Sequence, residues 1–475
     1  MLTNVYIDYI IAGINMFILL FAVLVMLSYL IFAVISILSL SEYLKENDFI
    51  NYKVILSSDL APHLSLIAPA YNEGKTIKEN VLSLLSLNYN NYEVVIINDG
   101  SKDNSLEILI TSFDLQEIKF SNHEYVKSKE VKAVYKSKNP AYKKLIVVDK
   151  YNGGKADALN AGINISSHPY IVCIDVDCIL QKDALLILAK PFLEKSEVRV
   201  IATGGVVRIA NSCIIKEGYI TEINVPDKLL PRIQVIEYLR AFLLGRMAWS
   251  KLDGLLIISG AFGMFDKEIA IKAGGYNHKT VGEDMELVIR MQRYMIESEQ
   301  KYLVAYIPNP LCWTEAPENF SILRKQRSRW TRGTMETLWI HRKMFLNPKY
   351  KILGLLSIPY WFLFEYLAPI IEFVGLLVTL FFVILGVLSW KFFVLLLLFV
   401  YCFGVMFSIL ALLTEEYTYF QYRRIKDINK LLFGAIIEPI YFHVFTVYAA
   451  LKGNWEKIRG NKDWGTMVRA GFDKK

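Results

Sequence analysis

The chain has 475 residues, of which 54% are apolar, 13% aromatic and 21% charged, with a mean hydropathy of +0.33 and a net charge of +7. Its apolar excess is clustered in blocks, which excludes a disordered chain, a disulfide scaffold and a purely soluble enzyme. A modest positive charge without a basic stripe of interleaved aromatics excludes a dedicated nucleic-acid binder, and five cysteines without a CxxC pair read as reduced, small core residues.

The first block, from Tyr9 to Ser41, has no Asp, Glu, Lys or Arg. It exceeds the roughly 20 residues needed to cross a bilayer and lacks a basic leader, so residues 1–45 read as a permanent transmembrane anchor with the N-terminus outside. From His63 the pattern changes to short β-branched runs alternating with helical stretches. Strands are expected over His63–Ala68, Tyr92–Ile97, Lys144–Val148 and Tyr170–Ile174, and helices over Thr76–Leu87, Asp103–Ser112 and Lys155–Ile163. That rhythm predicts an α/β domain built on a mostly parallel sheet. Charged residues between Gln116 and Ala141 break it and suggest an inserted loop or hairpin.

Ligands of open α/β sheets sit at the carboxyl ends of the strands. Those positions read Asn98-Asp99-Gly100-Ser101 after the second strand and Asp175-Val176-Asp177 after the fourth. A lone Asp there is usually a turn former, but an Asp-x-Asp pair directly after a buried run is a candidate for Mg²⁺ or Mn²⁺ holding phosphate. Glu73-Gly74-Lys75-Thr76 ends like a P-loop, yet Pro69 stands where the earlier glycine belongs, and the six histidines lack zinc-ligand spacing.

Farther along, Gly282-Glu283-Asp284 opens a helix expected over Met285–Glu299, where the acids also serve as an N-terminal cap. An amphipathic helix follows over Phe320–Trp339. In it Gln326, Arg329 and Trp330 are spaced i, i+3, i+4 and share a face suited to a sugar ring and a phosphate. Between Arg324 and Lys351 nine Lys or Arg stand against the single acid Glu336, which marks this segment as cytoplasmic. The second apolar block then divides at breaker residues. Tyr350–Ala368, interrupted by Pro359, Glu365 and Pro369, reads as interfacial; Ile370–Leu388 and Phe392–Thr414 read as spanning. Leu431–Leu451, interrupted by Glu438-Pro439 and His443, reads as re-entrant or interfacial. Three spans are expected, with four or five left open. The resulting plan is an anchor over 1–45, a cytoplasmic domain over 62–340, interfacial and transmembrane helices over 341–452, and a basic cytoplasmic tail over 453–475.

In order, Pro69-Ala70-Tyr71-Asn72-Glu73, Asn98-Asp99-Gly100-Ser101, Gly153-Gly154-Lys155-Ala156-Asp157-Ala158-Leu159-Asn160, Asp175-Val176-Asp177, Gly282-Glu283-Asp284 and Gln326-Arg327-Ser328-Arg329-Trp330 resemble the motifs of membrane-integrated family 2 glycosyltransferases. That family includes cellulose, hyaluronan and poly-N-acetylglucosamine synthases. The resemblance implies a GT-A fold, Rossmann-like with a mostly parallel sheet, and inverting transfer of a hexose from a UDP-sugar. It assigns Tyr71, Glu73, Asp99, Lys155 and Asp175 to the donor, and Asp175 and Asp177 to Mg²⁺ or Mn²⁺. It makes Asp284 the general base with Glu283 beside it, has Arg329 stabilise the departing diphosphate, and places Gln326 and Trp330 on the acceptor. The implied partners are a UDP-sugar, a growing glycan or a lipid acceptor, and the bilayer. An export subunit or a second copy of the chain is left open, and no nucleic acid is expected.

The implied location is the plasma membrane, multi-pass, with processive synthesis of a β-linked polysaccharide on the cytoplasmic face and a part in its export. A non-processive transferase acting on a membrane lipid is the alternative, and a non-catalytic scaffold of an export complex a third reading. The chain departs from the family in having Gly282 where cellulose synthases have Thr, and in its small number of spans.

Overall fold

The computed structural model describes residues 2–47, 61–120, 123–194, 197–216 and 218–459. Helix α1 (Leu2–Asn47) contains the uncharged N-terminal run. In chain order there follow β1 (Leu64–Ala70), α2 (Ile77–Leu85), β2 (Tyr92–Asn98), α3 (Ser105–Ser112), β3 (Leu115–Ile118), β4 (Val131–Ser137), β5 (Leu145–Lys150), α4 (Lys155–Ile165) and β6 (Tyr170–Ile174). Next come β7 (Ile179–Leu180), α5 (Ala184–Glu194), β8 (Arg199–Ile209), a small hairpin of β9 (Ile214–Lys216) and β10 (Tyr219–Glu222), and α6 (Leu229–Leu239). A π-helical stretch, Arg240–Arg246, leads into α7 (Met247–Lys251), then β11 (Phe262–Asp266), α8 (Lys267–Lys272), α9 (Glu283–Glu297), β12 (Tyr302–Thr314) and α10 (Phe320–Ile340).

Ten strands form one sheet in the order β3-β4-β5-β2-β1-β6-β11-β8-β12-β7. Its centre, β5-β2-β1-β6, is parallel, as the βαβ rhythm requires. These strands read as nearly unbroken apolar runs because helices cover both faces; Leu66, Ile67, Val94, Val95, Val147, Val148, Ile171 and Val172 are fully buried. The charged insertion is an antiparallel hairpin, β3 and β4, added at one edge beside β5. On the other flank β11 runs antiparallel between β6 and β8, and β8 pairs parallel with β12. A parallel centre leaves the carboxyl ends of β1, β2 and β6 on one side, where Tyr71, Asp99 and Asp175 emerge.

Among the described residues three helices are long and apolar enough to cross a membrane: Tyr9–Asn47, Leu353–Ile384 and Trp390–Thr418. The second joins what the sequence divides into an interfacial piece and a span. Its path runs through a π-helical turn Leu353–Ser357, α11 (Ile358–Tyr360), a second π-helical turn Trp361–Tyr366 and α12 (Ala368–Ile384). Pro359 and Pro369 each fall in the first turn of a new segment, where no backbone N–H is needed, so neither breaks the run. Helix α13 (Trp390–Thr418) follows, then α14 (Ile425–Tyr441) and α15 (His443–Ile458), which meet at a 49° bend and together form at most a fourth, broken span.

The α/β domain and the apolar helices are locked together by aromatic and ionic contacts. Phe32 of α1 packs on Trp249 of α7 and on Tyr360, with ring centroids 4.6 and 5.0 Å apart. Arg208 of β8 is paired with Glu415 of α13, and Arg240 with Glu438 of α14 at 2.8 Å. Helix α15 lies along α10: Phe320 packs near Phe445 at 4.7 Å, and Ser328 Oγ donates to Glu456 at 2.7 Å. Residues expected to open the C-terminal tail therefore continue α15 as far as Ile458, while the tail from residue 460 onward lies outside the described residues. The cysteines are all free, and Cys402 on α13 is exposed rather than a core residue, because that helix turns its apolar side outward.

Candidate active site

One cavity of about 500 Å³ gathers residues that lie far apart in the chain: Lys155, Asp175, Glu283, Asp284, Gln326, Arg329 and Trp330 all line it. Lys155 opens α4, packed beside β1. Its Nζ donates to Gly260 O at 2.8 Å, is paired with Asp175, and stands 4.0 Å from Glu283. Burial favours the neutral amine, but Asp175 and then Glu283 outweigh it and hold the Lys155 pKa above its ordinary value. A Cβ on Gly260 would come within 2.4 Å of Asp284 Oδ2, so the backbone of Gly260 forms the surface on which the Asp284 carboxylate rests. Lys155, Gly260 and Asp284 are thus consecutive parts of one wall.

Glu283 and Asp284 are the first residues of α9. Burial pushes the Glu283 pKa up to about 7; the Lys155 charge opposes that rise and Asp284 adds to it. Because the folded-state pKa lies above the unfolded value near 4.5, the associated stability is complete below about pH 4.5 and is lost as pH rises through about 7. Glu283→Gln is expected to flatten this part of a stability-versus-pH curve measured by thermal unfolding.

The entry of α9 is fixed by two glycines. A Cβ on Gly282 would lie 2.8 Å from Gly333 Cα, and one on Gly333 equally close to Gly282 Cα. Backbone therefore meets backbone where α10 crosses the start of α9. Gly282 in place of the threonine of cellulose synthases follows from this crossing: no side chain fits. Glu336, two turns farther along α10 than Arg329, accepts from Val281 N at 3.0 Å and is paired with Lys457 of α15. Gly333→Val is expected to cost about 1–3 kcal/mol of stability by overpacking. It is also expected to lower kcat about 100-fold by moving Asp284, because small misplacements of reacting groups carry penalties of that size. Thermal unfolding and steady-state kinetics check the two effects.

On α10, Trp330 is exposed towards the cavity, and the Arg327 guanidinium stacks over its ring at 4.1 Å while donating to Glu237 at 2.7 Å. The stack orients the indole as a platform. Arg327 and Glu237 were not singled out by the sequence. The first is hidden inside a motif whose helical spacing favours its neighbours, and the second lies on α6, about 90 residues away.

Asp175, Asp177 and Cys178 place one ligand atom each within 4.8 Å of one another. The carboxylates suit Mg²⁺ or Mn²⁺, but the buried Cys178 does not: hydrogen bonding with Cys312 and burial push its thiol pKa well above the ordinary value.

The remaining expected donor residues stand outside this cavity. Asp99, 3% exposed, accepts from Lys150 Nζ (2.7 Å), Gly153 N (2.9 Å), Gly154 N (2.8 Å) and Asn152 Nδ2 (3.2 Å). Four donors fill the acceptor sites of a carboxylate. Asp99 thereby holds the loop that delivers Lys155. Tyr71 is exposed at the end of β1, and Glu73 begins the turn into α2, its N–H bonded to Ser105 Oγ at 2.9 Å. Both remain on the same strand-end surface as Asp175.

Comparison with known proteins gives a consistent picture. The family described as "Glycosyl transferase family 2" matches residues 65–212, and that described as "Glycosyl transferase family group 2" matches residues 170–406. The chain is 29% identical over 330 residues to a poly-β-1,6-N-acetyl-D-glucosamine synthase of Staphylococcus epidermidis, covering 69% of this chain and 67% of that one. A synthase of the same name from Staphylococcus aureus is 30% identical over 292 residues, and there the match spans 61% of this chain and 58% of the relative's length. Among solved structures, a mannosyltransferase from Pyrobaculum calidifontis aligns with a TM-score of 0.47 at 16% identity, over 88% of this chain and 99% of that one.

Proposed function

Because the chain belongs to glycosyl transferase family 2, we propose that it is a membrane-bound inverting hexosyltransferase that extends a β-linked polysaccharide from UDP-N-acetylglucosamine. The observation that carries this reading is the single cavity joining Lys155 and Asp175, Glu283 and Asp284, and the Gln326, Arg329, Trp330 face. Glycosyl transfer needs a base for the acceptor hydroxyl, positive charge for the leaving diphosphate and a surface for the acceptor ring.

Asp284 takes the proton from the acceptor hydroxyl. Arg329 and Lys155 offset the charge that develops on the diphosphate, and Trp330, held by Arg327, stacks against the acceptor sugar with Gln326 beside it. Asp175 and Asp177 would hold a Mg²⁺ or Mn²⁺ ion, whose Lewis acidity would further neutralise the diphosphate. The catalytic domain faces the cytoplasm, where nucleotide sugars are made, consistent with the nine cations between Arg324 and Lys351. The apolar helices support a plasma-membrane location, and the packing of α15 on α10 supports the interfacial rather than spanning reading of that segment.

The test is incubation of the purified protein, in lipid, with Mg²⁺ and in turn UDP-N-acetylglucosamine, UDP-glucose, UDP-galactose or UDP-glucuronate. Polymer is expected from UDP-N-acetylglucosamine. Single sugars attached to lipid would overturn the polymerase reading.

A further inference from the structure

The cavity is lined not only by the α/β domain but by Trp361, Glu365 and Tyr366, which belong to the apolar helix Leu353–Ile384. We propose that Glu365 is the centre of an acceptor subsite that binds a non-anionic, N-acetylated sugar unit of the growing glycan, its carboxylate accepting from the amide N–H or hydroxyls of that unit. This rests on the function proposed above.

Glu365 stands in a stretch with no other charge between Ile352 and Ile371. An ionisable group at such a position is costly unless it has a partner, and normally marks a ligand path. The other glutamates of the cavity have theirs: Glu237 pairs with Arg327, Glu318 with Lys228, and Glu283 faces Lys155. Glu315 is engaged as well. Glu365 has no hydrogen-bond or ion-pair partner among the described residues, and it is exposed where it lines the cavity.

The local backbone supports a binding role. Trp361–Tyr366 is a π-helical turn, a rare form that is frequent at functional sites. With its wider turn, Trp361 and Glu365, four residues apart, lie on one face, and Tyr366 follows at the cavity's edge. Indole and phenol rings beside a carboxylate acceptor match a pyranose, which has apolar ring faces and hydrogen-bond donors around its rim. The cavity volume of about 500 Å³ falls within the range of small-ligand sites. An unpaired carboxylate also sets a selection rule: it repels a uronate unit and favours a neutral or amine-bearing one.

The experiment uses the full-length protein in nanodiscs, with short β-linked N-acetylglucosamine oligosaccharides as acceptors. Glu365→Gln is expected to raise the KM for acceptor about 10- to 100-fold, as loss of a charge-assisted hydrogen bond implies. The Kd for UDP, measured calorimetrically, is expected to stay at its wild-type value. Glu365→Asp, which keeps the charge, is expected to fall between the two. Oligosaccharides with a free amine in place of the acetamide are expected to bind the wild type more tightly than acetylated ones, and this preference is expected to vanish in Glu365→Gln. A general structural role would not move that charge preference. Wild-type acceptor KM and an unchanged amine preference in Glu365→Gln would overturn the subsite. If the wild type makes no polymer from UDP-N-acetylglucosamine, the fault lies instead with the proposed function.

Discussion

Asp284→Asn is expected to lower turnover by about 10²–10⁴-fold, the range typical of a general base, while leaving UDP binding unchanged. Asparagine keeps the shape of the side chain that rests on Gly260 and the position at the start of α9, so the Lys155–Asp175 wall stays in place. What is lost is the ability to take a proton. The effect should fall on kcat and kcat/KM together, because the proton transfer belongs to the transition state. Steady-state kinetics with UDP release as readout, paired with calorimetric UDP titration, separate the two quantities. A rate within tenfold of wild type would show that another group is the base.

The largest stability effect is expected at the joint between the sheet and the apolar helices, where Arg208 of β8 and Glu415 of α13 pair with 2% and 1% exposure. Glu415→Ala strands the guanidinium in a dry site between the sheet and an apolar helix. Breaking a buried pair in this way costs about 3–5 kcal/mol, far more than an exposed ion pair would. Thermal unfolding in detergent should show a large loss for the single variant. A double variant that replaces both partners by apolar residues, Arg208→Met with Glu415→Leu, should recover much of it, since no charge is then left unpaired. Equal losses in the single and double variants would mean that packing volume, not charge, holds this joint.

Both expectations concern residues whose legibility in the sequence differed sharply. Asp284 was readable because it stands in a Gly-Glu-Asp triplet, opens a periodic helix and belongs to an ordered set of motifs. Glu415 was not: at the end of an apolar run it resembles an ordinary interfacial acid, and nothing near it in sequence points to Arg208, about 200 residues earlier. Asp99 was readable as a strand-end acid but not as a loop clamp, because the four donors that saturate it are supplied by the end of a neighbouring strand and the turn after it. Gly282 looks like a departure from a family pattern until Gly333 is seen against it.

By itself the sequence determined the membrane blocks, the βαβ centre of the sheet and the residue types of the site, because apolar periodicity and strand-end chemistry are local properties of the chain. Only the tertiary structure decided which of those residues share a cavity, that prolines 359 and 369 start helical segments instead of ending a span, and that Glu365 faces the site rather than the lipid. The physical reason is that carboxylates, guanidinium groups and glycine contacts take their meaning from partners brought close by folding, and no local pattern encodes those partners.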